Sequence, residues 1–408
     1  METPPSNNAE ALQVGKILQG LRRQPDLAFD VLTAETPAGE GTDLTSLLLQ
    51  DPEASHPSQV VQLRCRLRRW QRILLRLLAP WLARRPDWSF LFTWQDQRAI
   101  RHLRQKPDLI YSRAFPPSSH LLALKLARFY QVPWFLHLSD PWCESSLEPS
   151  WNRSRWHRAE ESRCLQTASR ISFTSPVTLE RYQQRYPGLA DRMVLDFNVY
   201  DESSLQPGPW APGKRFRVVH TGSFTAERPV DPLLRALASL PSQHPLFTDL
   251  ELLQAGHSTP HCRRLIRKAG PWMQDLGLVT ASHALHLQRQ ADLLLAIDWR
   301  FDLARDSQFL LSKLTDYLAL RRPVLVITHP GGASGQFVIT NGLGKAVSHG
   351  DPDGIASAIV AYWQAWKAMD RSQFELPPPS AAYSASRVSA AIASAARTTL
   401  APVDANSG

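Results

Sequence analysis

The chain has 408 residues, 43% of them hydrophobic, with four scattered cysteines and a formal net charge of +9. This length allows two domains of ordinary size, and no stretch reaches the roughly 18 uninterrupted apolar residues of a membrane-spanning helix. The cysteine spacing excludes a disulfide framework or a zinc site, the first residues lack the pattern of a secretion signal, and the positive charge favours an anionic partner.

The first 60 residues begin with helix and strand patterns. A helix is predicted over residues 9–21 and a short strand over residues 29–33. Residues 34–59 are rich in Pro, Gly, Ser and Asp, so we expect a loop there.

Residues 62–81 predict a basic amphipathic helix. Apolar side chains recur at steps of four and three, arginines form a parallel stripe, and no acidic residue occurs between Pro57 and Pro86. Such a helix suits an anionic membrane surface. Alternatively, the apolar stripe packs on its own domain while the arginines stay in solvent; nucleic acid is a weaker option, because no recognition module accompanies them. The candidate membrane-surface residues are Arg64, Arg68, Trp70, Arg72 and Arg76.

The rest of the first half alternates strands with helices. Strands are predicted over residues 106–113, 132–142 and 170–175, the second of them ending in a polar loop, and helices over residues 119–130 and 177–186. This alternation indicates an α/β domain with a parallel sheet.

A linker rich in Pro and Gly, residues 207–213, precedes a second set of α/β elements. The predicted strands are 216–220, 250–255, 293–297 and 324–327, and the predicted helices are 230–240, 260–268, 283–290, 312–320, 353–368 and 381–400. Residues 401–408 are expected to be a frayed tail.

Residues 308–327 combine a helix start with a buried strand. Ser312 is a good N-cap residue, and the apolar run that follows Pro323 is typical of a strand buried on both faces. Lys313 and Asp316 can share one helix face. A helix start with a lysine and a carboxylate suits a nucleotide diphosphate, because free amides and the helix dipole favour anions there. The alternative is an ordinary solvated Lys–Asp pair.

The run Ser-Lys-Leu-Thr-Asp-Tyr-Leu-Ala-Leu-Arg-Arg-Pro-Val-Leu at 312–325 resembles the donor-site signature of family 4 glycosyltransferases, in particular a bacterial polysaccharide-assembly branch. Residues 106–142 resemble another segment of that branch, and residues 197–202 resemble a family motif that stands just before the crossover to the second domain. The resemblance implies an α/β fold of GT-B architecture, with two Rossmann-like domains facing each other across a cleft. The implied divisions are an acceptor-side domain 1–200, a linker 201–214, a nucleotide-sugar domain 215–375, a closing helix 376–400 and a tail 401–408.

The family pattern begins with a strand and a glycine-rich turn before the first helix, and this sequence shows neither. A start codon placed too late would explain the difference, as would a domain without its first strand. We favour the first explanation, because neighbouring strands would otherwise lose their hydrogen-bond partners.

The resemblance also implies a donor site. Gly222 follows a strand and lets the backbone approach a phosphate; Ser223 replaces the usual Arg, and Arg228 stands near a second basic position. The two glutamates of the family pattern correspond to Gln308, which is uncharged, and Asp316. The candidate donor-binding residues are Gly222, Ser223, Arg228, Gln308, Leu311, Ser312, Lys313 and Asp316.

The candidate catalytic residues lie at the end of the strand that begins at residue 132. Asp140 could orient the acceptor hydroxyl or the transferred sugar, or it could simply end the strand in a turn. His137 is the second candidate, and packing in the domain interior is its alternative. Asp351-Pro-Asp353 superficially matches a metal motif, but we interpret Asp353 as a helix N-cap, and no metal or other cofactor is expected.

Together these features predict a retaining, metal-independent glycosyltransferase of hexosyltransferase type. It would move a sugar from a nucleotide diphosphate to a glycan or lipid-linked glycan in cell-surface polysaccharide assembly, in the cytoplasm or on the inner face of the plasma membrane. The alternative is a GT-B-like protein with impaired catalysis that acts as a partner or scaffold, which Ser223 and Gln308 would favour. No motif of a hydrolase, P-loop protein or dehydrogenase is present.

Overall fold

A computed structural model describes residues 9–34, 59–63, 69–79, 90–103, 105–114, 117–144, 154–202 and 208–401. The chain divides into two compact units, Met1–Asp201 with Ala381–Gly408, and Glu202–Ser380. Both contain helices and parallel strands. The predicted loop over 34–59 and the predicted tail lie almost entirely outside the described residues. Arg64 and Arg68 also lie outside them.

The strands of the first unit form two separate parallel sheets. β1 (Asp30–Ala34) pairs with β2 (Gln59–Leu63), with Asp30 opposite Gln59. The second sheet runs in chain order through β3 (Ile110–Ala114), β4 (Trp134–Leu138), β5 (Arg170–Phe173) and β6 (Met193–Leu195). Every residue of β4 is buried, as its continuous apolar character predicts for a central parallel strand.

Six helices of this unit precede or follow those strands. They are α1 (Ala9–Arg22), α2 (Arg69–Leu78), α3 (Asp96–His102), α4 (Ser118–Tyr130), α5 (Arg155–Thr167) and α6 (Pro176–Arg185), among the described residues. The predicted helix over 62–81 is wrong at its beginning, because Gln62 and Leu63 belong to β2. The run Val60-Val61-Gln62-Leu63 is rich in β-branched residues, and tertiary pairing with β1 overrides the helical periodicity there.

The second unit contains one parallel sheet of six strands. They are β7 (Phe216–Thr221), β8 (Leu250–Ala255), β9 (Met273–Asp275), β10 (Leu293–Ile297), β11 (Val324–Ile327) and β12 (Gly344–Val347). Their spatial order is β12-β11-β10-β7-β8-β9. The chain therefore runs outward from β7 to β9 and returns to the other side of β7 at β10. In such sheets, ligands bind beyond the carboxyl ends of the strands at this reversal.

Helices complete the second unit. They are α7 (Asp231–Ala238), α8 (Leu246–Asp249), α9 (Pro260–Ala269), α10 (Ala281–Arg289), α11 (Lys313–Leu320), α12 (Ala333–Thr340) and α13 (Pro352–Lys367). The main core joins strand residues such as Val218 and Leu295 to helix residues such as Leu233 and Ile359. At the start of α13 the cap is Asp351, whose side chain accepts from the Gly354 amide, so the predicted cap at Asp353 is wrong by two residues.

The last helix, α14 (Ala385–Leu400), belongs to the first unit and packs on α1. Ser389 Oγ donates to the Ile17 carbonyl oxygen over 3.1 Å. A Cβ on Gly20 would collide with Ser389, so glycine allows the two helices to approach closely.

Candidate functional site

Two glycines meet in the turns that follow β7 and β8. Gly222 has a φ of +149° and Gly256 a φ of +145°, values that residues with a side chain rarely adopt. The Gly222 amide donates to the Ala255 carbonyl oxygen over 2.8 Å. A Cβ on Gly256 would collide with the Gly222 carbonyl, and a Cβ on Gly222 would collide with Lys313 Nζ. Both positions therefore require glycine.

Lys313 brings the first turn of α11 to the end of β7. Its Nζ donates to the Thr221 carbonyl oxygen over 2.6 Å. Farther along the same helix, Tyr317 Oη lies 3.0 Å from Thr221 Oγ1 and donates to the Leu295 carbonyl oxygen over 3.4 Å. These bonds hold α11 across the carboxyl ends of β7 and β10. Lys313 is thus tied to the Gly222 turn, and it is not the ordinary solvated lysine of the alternative interpretation.

The charges around Lys313 favour an anion. Burial and then the charge of Arg228 lower the pKa of Lys313 to about 7, and Asp298 opposes that shift. The Arg228 guanidinium lies over the Trp299 ring, 5.5 Å from its centroid. Asp298 follows β10, is fully buried, and accepts from the Trp299 amide over 2.8 Å. Burial also raises the pKa of Asp298. Two cations near one buried carboxylate leave a positive site at the strand reversal.

α11 begins where the sequence predicts, with Ser312 at the N-cap position. Ser312 has helical angles, φ −58° and ψ −29°, and its side chain makes no capping bond. Instead, Thr315 Oγ1 donates to the Ser312 carbonyl oxygen over 2.8 Å, and the Leu311 amide donates to Ser334 Oγ over 3.2 Å. The amides of Ser312 and Lys313 still begin the helix, where the dipole is positive.

His220 and Gln254 brace the Gly222 turn, and the sequence interpretation missed both. Gln254 Nε2 donates to the Gly222 carbonyl oxygen over 2.7 Å. Its Oε1 lies 2.5 Å from His220 Nδ1, so the proton in that bond belongs to the histidine. Burial, and next the Lys313 charge, hold the pKa of His220 well below its usual value. His220 therefore stays neutral and fixes the orientation of the Gln254 amide.

The structure brings Gly222, Lys313 and Arg228 into one site, and Ser223 adjoins Gly222 in the chain. Asp316 is partly exposed on α11. The Gln308 side chain is fully buried, at 0% exposure, so it offers no surface to a sugar in this state. The donor role of these residues stays a prediction. Asp298 and the His220–Gln254 pair gave no sequence signal, because they follow or belong to strands that are distant in the chain.

In the first unit, Asp140 lies in a turn that is fixed on both sides. Before it, Thr174 Oγ1 donates to the Ser139 carbonyl oxygen over 2.8 Å. After it, the Trp142 amide donates to Tyr182 Oη over 3.0 Å, and the Cys143 amide donates to Glu161 Oε1 over 2.9 Å. Asp140 itself is partly exposed at the carboxyl end of β4, which is a suitable place for a functional carboxylate.

His137 lies in the interior of the first unit. Its exposure is 0%, and its Nδ1 is 2.8 Å from Ser172 Oγ on the neighbouring β5. Burial, and next the Arg113 charge, hold the pKa of His137 well below its usual value. Its placement agrees with the packing alternative, while a catalytic role stays a prediction.

α2 exposes an apolar face, as the prediction of an amphipathic helix requires. Trp70 is 58% exposed, and Leu77 and Leu78 are each 74% exposed. Arg72 and Arg76 lie on the same helix. None of the helices among the described residues is long and apolar enough to cross a bilayer.

Comparison with known proteins agrees with this geometry. Residues 11–195 match the family described as "Glycosyl transferase 4-like domain". No curated protein matches the chain.

Solved structures extend the likeness to both units. A glycosyltransferase from Rickettsia africae ESF-5 is 11% identical, with a TM-score of 0.57 over 93% of this chain and 100% of that one. A protein described as a putative UDP-N-acetylglucosamine 2-epimerase from Listeria monocytogenes is 12% identical, with a TM-score of 0.53 over 93% and 98%. The corresponding epimerase from Methanocaldococcus jannaschii is 10% identical, with a TM-score of 0.50 over 90% and 100%. The chain has the GT-B fold, and the family match over residues 11–195 supports glycosyl transfer in general.

Proposed function

We propose that the protein transfers a sugar, as a hexosyl group, from a nucleotide diphosphate to a glycan or lipid-linked glycan of the cell surface. The observation that carries the proposal is the position of Lys313, Arg228 and Gly222 at the reversal between β7 and β10. A diphosphate placed there would meet the Lys313 ammonium, the Arg228 guanidinium and the start of α11. The two epimerases named above are described as acting on UDP-N-acetylglucosamine, which supports a nucleotide sugar as the donor.

Electrostatic stabilisation of the leaving diphosphate is the proposed source of catalysis. Negative charge develops on the diphosphate as the glycosidic bond breaks, and cations already fixed in place stabilise it without reorganisation. Lys313 and Arg228 supply that charge, so the proposed reaction needs no metal and no other cofactor. Retention of the anomeric configuration rests on the family resemblance.

Asp140 is the proposed catalytic residue of the acceptor side. Its carboxylate would orient the acceptor hydroxyl or the transferred sugar from the turn after β4. Its partial exposure and the three bonds that fix the turn support this role.

Nucleotide binding tests the donor site directly. We expect UDP, GDP or ADP to bind by isothermal titration calorimetry, and a Lys313→Met substitution to weaken binding by about 1.5–3 kcal/mol, the usual value of a charge-assisted hydrogen bond. Lys268→Met on the exposed surface of α9 is the matched control and should leave the affinity unchanged. If folded protein bound none of the three diphosphates, the proposal would be rejected.

A scaffold without transfer activity is the second candidate. Ser223 offers no positive charge where the family commonly has one, and the Gln308 side chain is buried. A protein that binds a nucleotide sugar but hydrolyses or transfers none, with a full set of sugar nucleotides and glycan acceptors, would favour this second function.

Peripheral attachment to the inner leaflet is proposed for α2. Its exposed face of Trp70, Ile73, Leu74, Leu77 and Leu78 would enter the interface region of the bilayer. Arginines on the same helix would meet anionic headgroups. This arrangement would bring the enzyme to a lipid-linked acceptor.

A further inference from the structure

The amino end of the sheet in the second unit carries arginines, whereas the proposed donor site lies at the carboxyl end. Two concavities open at the amino end, with volumes of about 260 Å³ and about 320 Å³, and Pro209 and Arg322 line both. The arginines that line the first are Arg215, Arg217, Arg289 and Arg322. Those that line the second are Arg321, Arg322 and Arg371. This concentration of one charge sign is the first indication of an anion site.

Arg322 is the central residue of the cluster. It is only 5% exposed, and its Nη2 donates to the carbonyl oxygens of Gly208 over 3.0 Å and Pro209 over 3.3 Å. Its Nε is buried without a hydrogen-bond partner, and so is the Nε of Arg215. Among the described residues, neither arginine forms an ion pair with a carboxylate, although Arg217 pairs with Glu251 and Arg371 with Glu375. A buried guanidinium remains charged, and its burial is unfavourable unless nearby negative charge offsets it.

The nearby carboxylates are engaged elsewhere. Asp292 accepts from Trp210 Nε1 over 2.7 Å and from the Arg217 amide over 2.8 Å. Glu375 accepts from the Trp210 amide over 3.1 Å and also pairs with Arg371. Their charges act on Arg322, but neither carboxylate forms an ion pair with it among the described residues. Six arginines and two carboxylates line the two concavities, so the cluster keeps an excess of positive charge.

We propose that Arg215, Arg217, Arg289 and Arg322, called here the amino-edge arginine site, bind a small phosphate-type anion such as a diphosphate. Guanidinium groups present paired N–H donors whose geometry matches phosphate oxygens. The segment with Pro209 and Trp210 lines the same concavity, so the anion would link that segment to the strands of the sheet. This site is separate from the donor site. Its residues lie at the amino ends of β7, β10 and β11, whereas the donor site lies at the carboxyl ends of the strands.

Calorimetry with inorganic pyrophosphate tests the proposal in the full-length Lys313→Met protein, whose donor site is weakened. We expect pyrophosphate to bind, and Arg289→Glu to lower the affinity at least about tenfold, which corresponds to 1.4 kcal/mol. Arg289 is exposed, so the charge reversal should leave the fold intact. Arg267→Glu on the exposed surface of α9 is the matched control and should have no effect.

A second variant and a second anion complete the test. Arg215→Glu should weaken binding in the same way, and inorganic phosphate should bind at the same site with lower affinity, because it offers fewer oxygens to the arginines. The proposal is overturned if the Lys313→Met protein binds no pyrophosphate. It is also overturned if pyrophosphate binds equally well to the Arg289→Glu and Arg215→Glu proteins.

Discussion

At the scale of single residues, Lys313 makes donor binding depend on pH. Its pKa in the free protein is lowered to about 7, and a bound diphosphate would raise it, so binding takes up a proton above pH 7. Affinity for UDP should therefore fall as the pH rises from 7.5 to 9, by at most about tenfold per pH unit. The phosphate group has a pKa of about 6, so its own ionisation would not explain a change in affinity between pH 7.5 and 9.

The same titration affects folding in the opposite direction. The unfolded chain holds the Lys313 proton up to its ordinary pKa, whereas the folded protein releases it near 7, so the stability of the free protein should rise between these values. Lys313→Met should remove the pH dependence of UDP affinity and of stability. Calorimetry measures the affinity between pH 7 and 9, and thermal melting measures the stability. A UDP affinity that stays constant over this range would show that Lys313 does not titrate at the donor site.

Gly222 tests the close contact between β7 and α11. Gly222→Ala places a Cβ against Lys313 Nζ and requires a backbone angle that alanine rarely adopts, so we expect a loss of about 1–3 kcal/mol in stability together with weaker UDP binding. Gly350→Ala is the control, because the nearest atom to its Cβ is Ser348 Oγ at 3.8 Å. Thermal melting and titration with UDP measure the two effects. Equal melting temperatures for the two variants would contradict the geometry.

At the scale of elements, the turn that carries Asp140 depends on α6. Tyr182 Oη accepts from the Trp142 amide and donates to Glu161, so Tyr182→Phe leaves a buried amide unpaired at a cost of about 1–3 kcal/mol. Tyr186→Phe is the control, because Tyr186 also donates to Glu161 but does not bond the turn. We expect lower stability for both variants, and a lower kcat with an unchanged donor Kd only for Tyr182→Phe. If the two variants had equal kcat values, the turn that carries Asp140 would have no role in catalysis.

The proposed membrane binding of α2 depends on its exposed apolar side chains. Leu77→Glu places a charge on a side chain that is 74% exposed, so stability should not change, but binding to vesicles of anionic lipid should weaken severalfold. Leu278→Glu, at 81% exposure in the second unit, is the control. Co-sedimentation with anionic and neutral vesicles measures binding. If both variants bind like the parent protein, α2 is not the attachment site.

At the scale of the whole molecule, each unit has its own hydrophobic core. The core of the second unit joins β7, β10 and α13, and the first unit buries a different set around β4 and α4. A nucleotide bound at Lys313 should raise the unfolding temperature of the second unit only, with about 2.7 kcal/mol of added stability at one hundred times the Kd. Differential scanning calorimetry with and without UDP measures this effect, and an equal shift of both transitions would contradict it.

The sequence predicted the parts of the fold that local patterns determine. β10 and β11 are continuous apolar runs of the length of a strand, and the proline after Arg322 correctly ended α11. β9 and β6 have only three residues each, which is too short for a periodic signal. α5 was missed because most of its residues are polar, and its buried Glu161 is stabilised by hydroxyl groups from α6 and from Tyr186.

In the candidate site too, residues of a local motif were predicted, whereas residues brought together by strand pairing were not. Lys313 was found because it lies in a contiguous motif, and its bond to Thr221 then placed it beside Gly222. His220, Gln254 and Asp298 come from three strands or strand ends, so only the pairing of β7 with β8 and β10 brings them together. Ser312 is the N-cap residue of α11, as predicted, but its helical angles differ from the extended backbone of a capping serine, and its side chain makes no capping bond.

The contact between Gly256 and the Gly222 carbonyl has a consequence for engineering. A side chain at Gly256 would displace the turn after β7, and a side chain at Gly222 would displace Lys313, so each exchange would disturb the donor site. A mutant library intended to change which activated sugar is accepted should therefore hold these two codons constant. Diversity belongs instead at Ala226 and Glu227, whose side chains are exposed, and at the partly exposed Ser223.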